Sequence, residues 1–193
     1  MVRWDVAEWK LWLIRYLTSP SSESEIYMGE SSVNAGNEQA ELPDHAGVAF
    51  HPPLLLAVML ILGFIGRWIA PLGFLPREIS VSVGPIITAG SFGLFFWAAY
   101  TMRTGDASIP TSEPTNTIVE CGPFRFSRNP VYLAMLLLQL GVGVWANSAW
   151  FFWLAAVSAV LLTWGVILRE EQYLGRKFGA EYASYKARVR RWF

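Results

Sequence analysis

The stretch Cys121–Tyr132 reads CGPFRFSRNPVY, and after Arg128 about forty residues pass without a charged side chain, until Arg169, Glu170 and Glu171. A run of that length is twice what one helix needs to cross a hydrocarbon core of about 30 Å. Asn147 and Ser148 lie near its middle and supply a tight turn, with Ser148 placed to cap the helix that follows. The run therefore predicts an antiparallel hairpin, span three from Pro130 to about Ala146 and span four from Ala149 to Leu168. Its open end carries Arg128 and Asn129 on one arm and Glu170 on the other, so opposite charges meet at one membrane surface.

The remainder of the composition agrees with a membrane protein. Of 193 residues 53% are hydrophobic and only 16% charged, with ten Trp, a balance unlike that of an ordinary soluble domain. The formal net charge is zero, so no global field points to nucleic acid. Cys121 is the single cysteine, which excludes an internal disulfide and reads as a small packing residue rather than a nucleophile. His45 and His51 with Asp44 form a weak metal signal that lacks a third ligand, and no metal is expected.

Outward from the hairpin, Pro52 and Pro53 suit a first helical turn, and Leu54 to Leu72 is long enough for span one, with Arg67 snorkelling beside Trp68. A turn through Gly73, Pro76, Arg77 and Glu78 leads to span two, residues 81–102, rich in Gly, Ala and Ser that let membrane helices approach closely. Pro110, Pro114 and Pro123 keep the loop Arg103–Asn129 from being one helix. After Glu171, Leu174, Phe178, Tyr182, Tyr185 and Val189 recur at helical spacing, with Gly179 as a break, and predict an interfacial tail that roofs the charged end. The fold class is an all-α integral membrane bundle of about four helices over residues 48–193. Residues 1–47 form an extension: Asp5, Glu8 and Lys10 interrupt any secretory signal, residues 2–17 have the spacing of an interfacial helix or are an incidental Trp-rich leader, and residues 19–47 read as a linker.

Lys and Arg set the orientation. Three lie in the N-terminal segment, three in the long loop and seven in the tail after span four, whereas the opposite side holds only Arg67 and Arg77. The positive-inside rule then puts both termini, the long loop and the charged cluster in the cytoplasm.

Three elements together carry a family resemblance: Arg128, Asn129, Pro130 and Tyr132 as an Arg-X-Pro-X-Tyr motif; the Glu170–Glu171 pair; and Phe178, Gly179, Glu181, Tyr182 and Tyr185 in the tail. In this order and spacing, residues 103–193 resemble the isoprenylcysteine carboxyl methyltransferase and phospholipid methyltransferase superfamily of integral membrane enzymes. The resemblance implies S-adenosylmethionine as cofactor, wrapped by the loop Thr117 to Phe124, through Thr117, Ile118, Val119, Gly122 and Phe124, and by the motif residues Arg128, Asn129, Pro130 and Tyr132. Glu170 and Glu171 complete that cofactor site, and Arg128 and Glu171 are the candidate catalytic residues.

The residue types suit such a cofactor. Its carboxylate needs a cation, here Arg128; its ammonium needs an anion, here Glu170; and Tyr132 offers a hydroxyl or a ring to the cationic end. The unequal arms of the hairpin predict Glu170 above Tyr132 with room for the cofactor between them. Asn129 stands where many relatives have histidine and only exchanges hydrogen bonds, which leaves Glu171 or the substrate's own ionisation to handle a proton. Val166 stands where prenylcysteine-methylating relatives have arginine, which disfavours a prenylated carboxylate substrate. The expected acceptor is a lipid-like or small apolar molecule with a carboxylate, thiol or amine, taken from the bilayer. Gln139, seven residues after Tyr132 on the same face, reads first as an amide that joins helices and second as a substrate contact. A membrane sterol-type reductase that binds NADPH and a non-catalytic assembly factor are the alternative readings, the first disfavoured because a polyphosphate calls for cations where Glu170 and Glu171 stand. No strand–GxGxxG–helix pattern occurs, which excludes a soluble Rossmann methyltransferase.

Overall fold

The computed structural model describes residues 49–104 and 117–192. The expectations for the interfacial helix 2–17, the linker 19–47, His45 and the prolines Pro110 and Pro114 lie outside the described residues.

Helix α1, Pro52–Ile69, starts on the two prolines, whose missing N–H groups cost nothing in a first turn. It ends three residues before the expected Leu72, because Ala70 precedes Pro71 and is pushed into an extended conformation (φ −139°, ψ 96°). Helix α2, Arg77–Thr104, runs through Pro85 and begins four residues before the predicted start of span two. Pro76 fixes the approach to this helix, and Glu78 in its first turn suits the positive end of the helix dipole.

Helix α3, Pro130–Trp145, and helix α4, Trp150–Leu162, form the predicted hairpin. The second arm does not stop at Leu168. It passes through a π-helical turn, Thr163–Ile167, into α5, Leu168–Phe178, as one apolar-then-charged helix of 29 residues. Between Arg169 and Phe178 only Gly175 is a weak helix former, and the Arg, Glu, Gln and Leu around it are good ones. Gly179 does break it, at φ +51°, a left-handed conformation that glycine adopts without strain, and α6, Ala180–Arg188, folds back.

Among the described residues, three helices are long and apolar enough to cross a membrane: Pro52–Ile69, Arg77–Thr104 and Trp150–Phe178. The sixteen residues of α3 make a shorter apolar helix beside them. Large apolar side chains face outward, with Trp68 86%, Trp153 71% and Ile86 70% exposed. Surface of that kind is matched by lipid, and the protein is an all-helical, multi-pass membrane bundle.

The two ends of the bundle are fastened differently. At the hairpin turn, Asn147 (φ 47°) accepts from the backbone N–H groups of Phe74 and Leu75 at 3.0 and 2.9 Å and donates to the Leu75 carbonyl at 2.8 Å. Arg67 donates to the carbonyls of Ala146 and Asn147, and Trp150 to that of Ala70. Arg67 thus satisfies the carbonyl end of α3 instead of simply reaching for the interface. Ser148 is no side-chain cap, since Ala149 is the cap residue and the buried Ser148 hydroxyl has no hydrogen-bond partner among the described residues. The opposite end, where α3 begins and α5 emerges, holds the cluster of ion pairs on Glu171.

Helix α2 packs most extensively on α3, because glycines bring the two backbones together. A Cβ placed on Gly84 would lie 2.4 Å from the Trp145 Cα, whereas one on Gly90 would meet nothing within 4 Å. Gly84→Ala is therefore expected to destabilise the bundle by about 1–3 kcal/mol despite the better helix propensity of alanine. Gly90→Ala should leave stability unchanged or slightly higher, and thermal unfolding of both variants in detergent micelles checks the contrast.

Candidate active site

The sequence around the start of α3 is held by backbone contacts to the end of the chain. Pro130 occupies the first helical turn, and the cap residue Asn129 makes no side-chain cap. Its amide instead donates to the Arg191 carbonyl at 3.0 Å, which also accepts from the Ser127 hydroxyl at 3.2 Å. The Arg128 N–H donates to the Arg190 carbonyl at 3.0 Å. Residues 190–191 thus lie along residues 127–129 and fix the position from which the Arg128 side chain projects.

The preceding loop is clamped by the same tail. Ile118 packs against a buried cluster of Tyr182, Tyr185 and Val189, and the Tyr185 hydroxyl donates to the Phe124 carbonyl at 2.9 Å. Arg188 forks onto Glu120 at 2.7 and 3.0 Å. Gly122 holds φ +58° at the start of the one-turn helix Gly122–Arg125, and a Cβ there would lie 2.6 Å from the Thr101 hydroxyl at the end of α2. Glycine is required here both for its backbone angle and for its size.

Glu171 is the centre of charge. Arg191 donates to both of its oxygens, at 2.9 and 2.8 Å, Arg128 Nη1 lies 3.0 Å away and Lys186 3.7 Å. Three cations face one carboxylate, so the cluster retains positive charge after Glu171 is counted. The Arg128 side chain is only 9% exposed, yet its Nε and Nη1 atoms have no hydrogen-bond acceptor among the described residues. Nη1 is close enough to Glu171 for an ion pair without its N–H being directed at the oxygen, so the charge is balanced while the donors stay unused. Buried donors of a guanidinium are seldom left so, and a ligand carboxylate is the group that fits them.

The residue before Glu171 on α5, Glu170, accepts from the Tyr132 hydroxyl at 2.7 Å. Tyr182 lies within reach of Arg128, Glu170 and Glu171. Burial raises its pKa first and the negative charge of Glu171 second, while a hydrogen bond from Arg128 acts the other way, so the phenol remains protonated near neutral pH.

The structure brings together most of the residues the sequence singled out. Arg128, Asn129, Pro130, Tyr132, Glu170 and Glu171 gather at one end of the hairpin, and Ile118, Gly122 and Phe124 are bound to the tail or the end of α2 beside them. Thr117 is exposed and Val119 half-buried on the same loop. The expected gap between Tyr132 and Glu170 is absent, since the two side chains bond directly. Cys121 is exposed rather than packed. Arg191, Lys186 and the Glu120–Arg188 pair were not foreseen, because the sequence RVRRWF near the end of the chain reads only as basic. Val166, in the π-helical turn, is fully buried and packs in one cluster with Tyr132, Met135, Leu162 and Ile167.

A membrane-embedded helical bundle with a buried ion cluster between the start of one helix and the end of the next is the class that fold and site define. A sequence pattern of the family described as phospholipid methyltransferase matches residues 79–181, more than half of the chain. The chain belongs to that methyltransferase family. It is also similar to an uncharacterized protein of Haemophilus influenzae, 41% identical over 63 residues, covering 32% of this chain and 98% of that one. A second relative is the cobalt-zinc-cadmium resistance protein CzcN of Cupriavidus metallidurans, 28% identical over 128 residues, covering 66% of this chain. The chain spans about half of that relative's length, 52%. No solved structure matches the chain.

The charge cluster makes a stability prediction. Glu171→Gln leaves Arg128, Arg191 and Lys186 facing one another without an anion and should cost about 3 kcal/mol. Arg188→Ala removes a pair whose side chains are 61% and 34% exposed and should cost less than about 1 kcal/mol. Denaturant unfolding in micelles checks the ranking; equal losses would show that Glu171 is not the anchor of the cluster.

Proposed function

We propose that the protein transfers a methyl group from S-adenosylmethionine to an amphiphilic or apolar acceptor reached from the bilayer, at the cytoplasmic end of the bundle. The observation that carries this reading is the buried Arg128 guanidinium with two nitrogens lacking an acceptor, beside Glu170 and in a methyltransferase family. The cofactor supplies, when bound, a methyl group activated by a sulfonium. The Arg128 guanidinium would hold its carboxylate and Glu170 its ammonium, with the Tyr132 hydroxyl fixing the Glu170 carboxylate. Thr117, Ile118, Val119, Gly122 and Phe124 would form the wall on the loop side, while Asn129 and Pro130 hold that wall to α3.

Glu171 takes a different part from the proton acceptor suggested by the sequence. Its oxygens are already engaged by Arg191 and faced by Arg128 and Lys186, which makes it a poor base, and its work is to hold Arg128 in place. Methyl transfer needs alignment and exclusion of water more than acid–base help; the ion cluster would serve the first and the apolar helices below it the second. The cytoplasmic assignment rests on the excess of Lys and Arg in the loop and tail at this end over Arg67 and Arg77 at the other.

Isothermal titration in detergent tests the cofactor, with NADPH as the contrasting ligand. Arg128→Ala and Glu170→Ala should each weaken S-adenosylmethionine binding by about 1.5–3 kcal/mol, roughly ten- to 150-fold. Undiminished binding in both variants, or preference for NADPH, would remove the assignment. In membranes supplied with methyl-labelled cofactor, the label should be recovered in the organic phase; label confined to water-soluble product would exclude an acceptor drawn from the bilayer.

A further inference from the structure

The segment before α1 grips the second arm of the hairpin just ahead of the charges. Ala49 donates its backbone N–H to the Gly165 carbonyl at 3.0 Å, in the middle of the π-helical turn Thr163–Ile167. A Cβ placed on Gly165 would lie 2.5 Å from a ring carbon of Phe50, so the ring rests directly on the turn and glycine leaves it room. The same ring packs against the buried cluster of Tyr132, Met135, Leu162, Val166 and Ile167. Its seat is fixed from the other side as well. His51 is extended, as a residue before proline prefers, and Pro52 opens α1 fully buried.

A π-helical turn takes up about one residue more than an α-helical one, so the residues after it are rotated by about 100° relative to an unbroken α-helix. In an unbroken helix Arg169 would come to the face where Glu170 now accepts from the Tyr132 hydroxyl at 2.7 Å. We propose that Phe50 is a positioning residue: seated on Gly165, it holds the π-helical turn and through it keeps Glu170 on Tyr132. The proposal rests on the reading of Glu170 as the partner of the cofactor's ammonium, and it names the contact outside the site that sets where this carboxylate points. Such turns are rare beside α-helix, so one that persists needs a contact from outside to hold it. Phe50→Ala removes that contact, and the turn relaxes toward an α-helix that carries Arg169 toward Tyr132 and Glu170 away. Gly165→Ala reaches the same end by pushing the ring off its seat, with the helix propensity of alanine acting in the same direction.

A mutant cycle on cofactor affinity, read by isothermal titration in micelles, separates positioning from packing alone. Phe50→Ala and Gly165→Ala should each weaken S-adenosylmethionine binding about tenfold. In a Glu170→Ala background neither should weaken it further, because the carboxylate they position is gone. Phe50→Leu, which keeps an apolar side chain over the turn, should recover part of the loss. Undiminished binding in Phe50→Ala, or a loss that persists in full in the Glu170→Ala background, overturns the proposal and leaves Phe50 as a packing residue. Cross-linking of cofactor-free protein with a short bifunctional maleimide, in a Cys121→Ser background, reads the register without any ligand. Tyr132→Cys paired with Glu170→Cys should cross-link in better yield than Tyr132→Cys paired with Arg169→Cys, and Phe50→Ala should reverse that order. An order that Phe50→Ala leaves unchanged overturns the proposal. A reversal in protein that does not bind S-adenosylmethionine would sustain Phe50 as the residue that places Glu170 and defeat the methyl-transfer reading instead.

Discussion

The ion cluster on Glu171 is the constraint on which the site depends. A carboxylate on a helix leaving the membrane draws Arg128 from the start of α3, Arg191 from the end of the chain and Lys186 from α6. The start of α3 and the tail, some sixty residues apart in sequence, thus converge on two oxygens. In a medium of low dielectric, breaking one partner leaves the others uncompensated, so the cluster favours a single arrangement more strongly than it adds to stability. The tail is held as part of this arrangement, and with it the loop, since Tyr185 and Arg188 carry the contacts to Phe124 and Glu120.

The π-helical turn gives the second arm of the hairpin its shape. Thr163–Ile167 carries wider hydrogen-bonded turns between two α-helical stretches, and Ala49 donates to the Gly165 carbonyl within it at 3.0 Å. A Cβ on Gly165 would lie 2.5 Å from the Phe50 ring, so the segment before α1 is seated against that turn. Turns of this kind shift the face on which later residues fall and are frequent beside functional sites. Here the residues that follow are Glu170, on Tyr132, and Glu171, on its cations.

Much of this was legible in the sequence because it depends on local chemistry. The uncharged run, the Asn147 turn and the prolines at helix starts each act within a few residues, and they place Tyr132 and Glu170 at the same end. The early end of α1 had a local signal in Ala70 before Pro71, which the reading to Leu72 passed over, and the helical course from Arg169 to Phe178 had one in the good helix formers on both sides of Gly175. The hydrogen bonds of the tail were not. That Asn129 gives its amide to the Arg191 carbonyl, or that Arg191 forks onto Glu171, follows from docking across 62 and 20 residues of chain, which no local pattern records. The π-helical turn has no signature in Thr-Trp-Gly-Val-Ile either.

Helix α3 is short. Its sixteen residues rise about 24 Å, while α2 beside it has 28. Two such rods cannot both match one hydrocarbon slab of about 30 Å, so the film thins around α3 or its neighbours lean over it. Thinning at the end where Arg128 and Tyr132 stand would, on the proposed function, bring water down to the site and lipid heads in beside it, so that two reactants from different phases could meet there without either leaving its own solvent entirely.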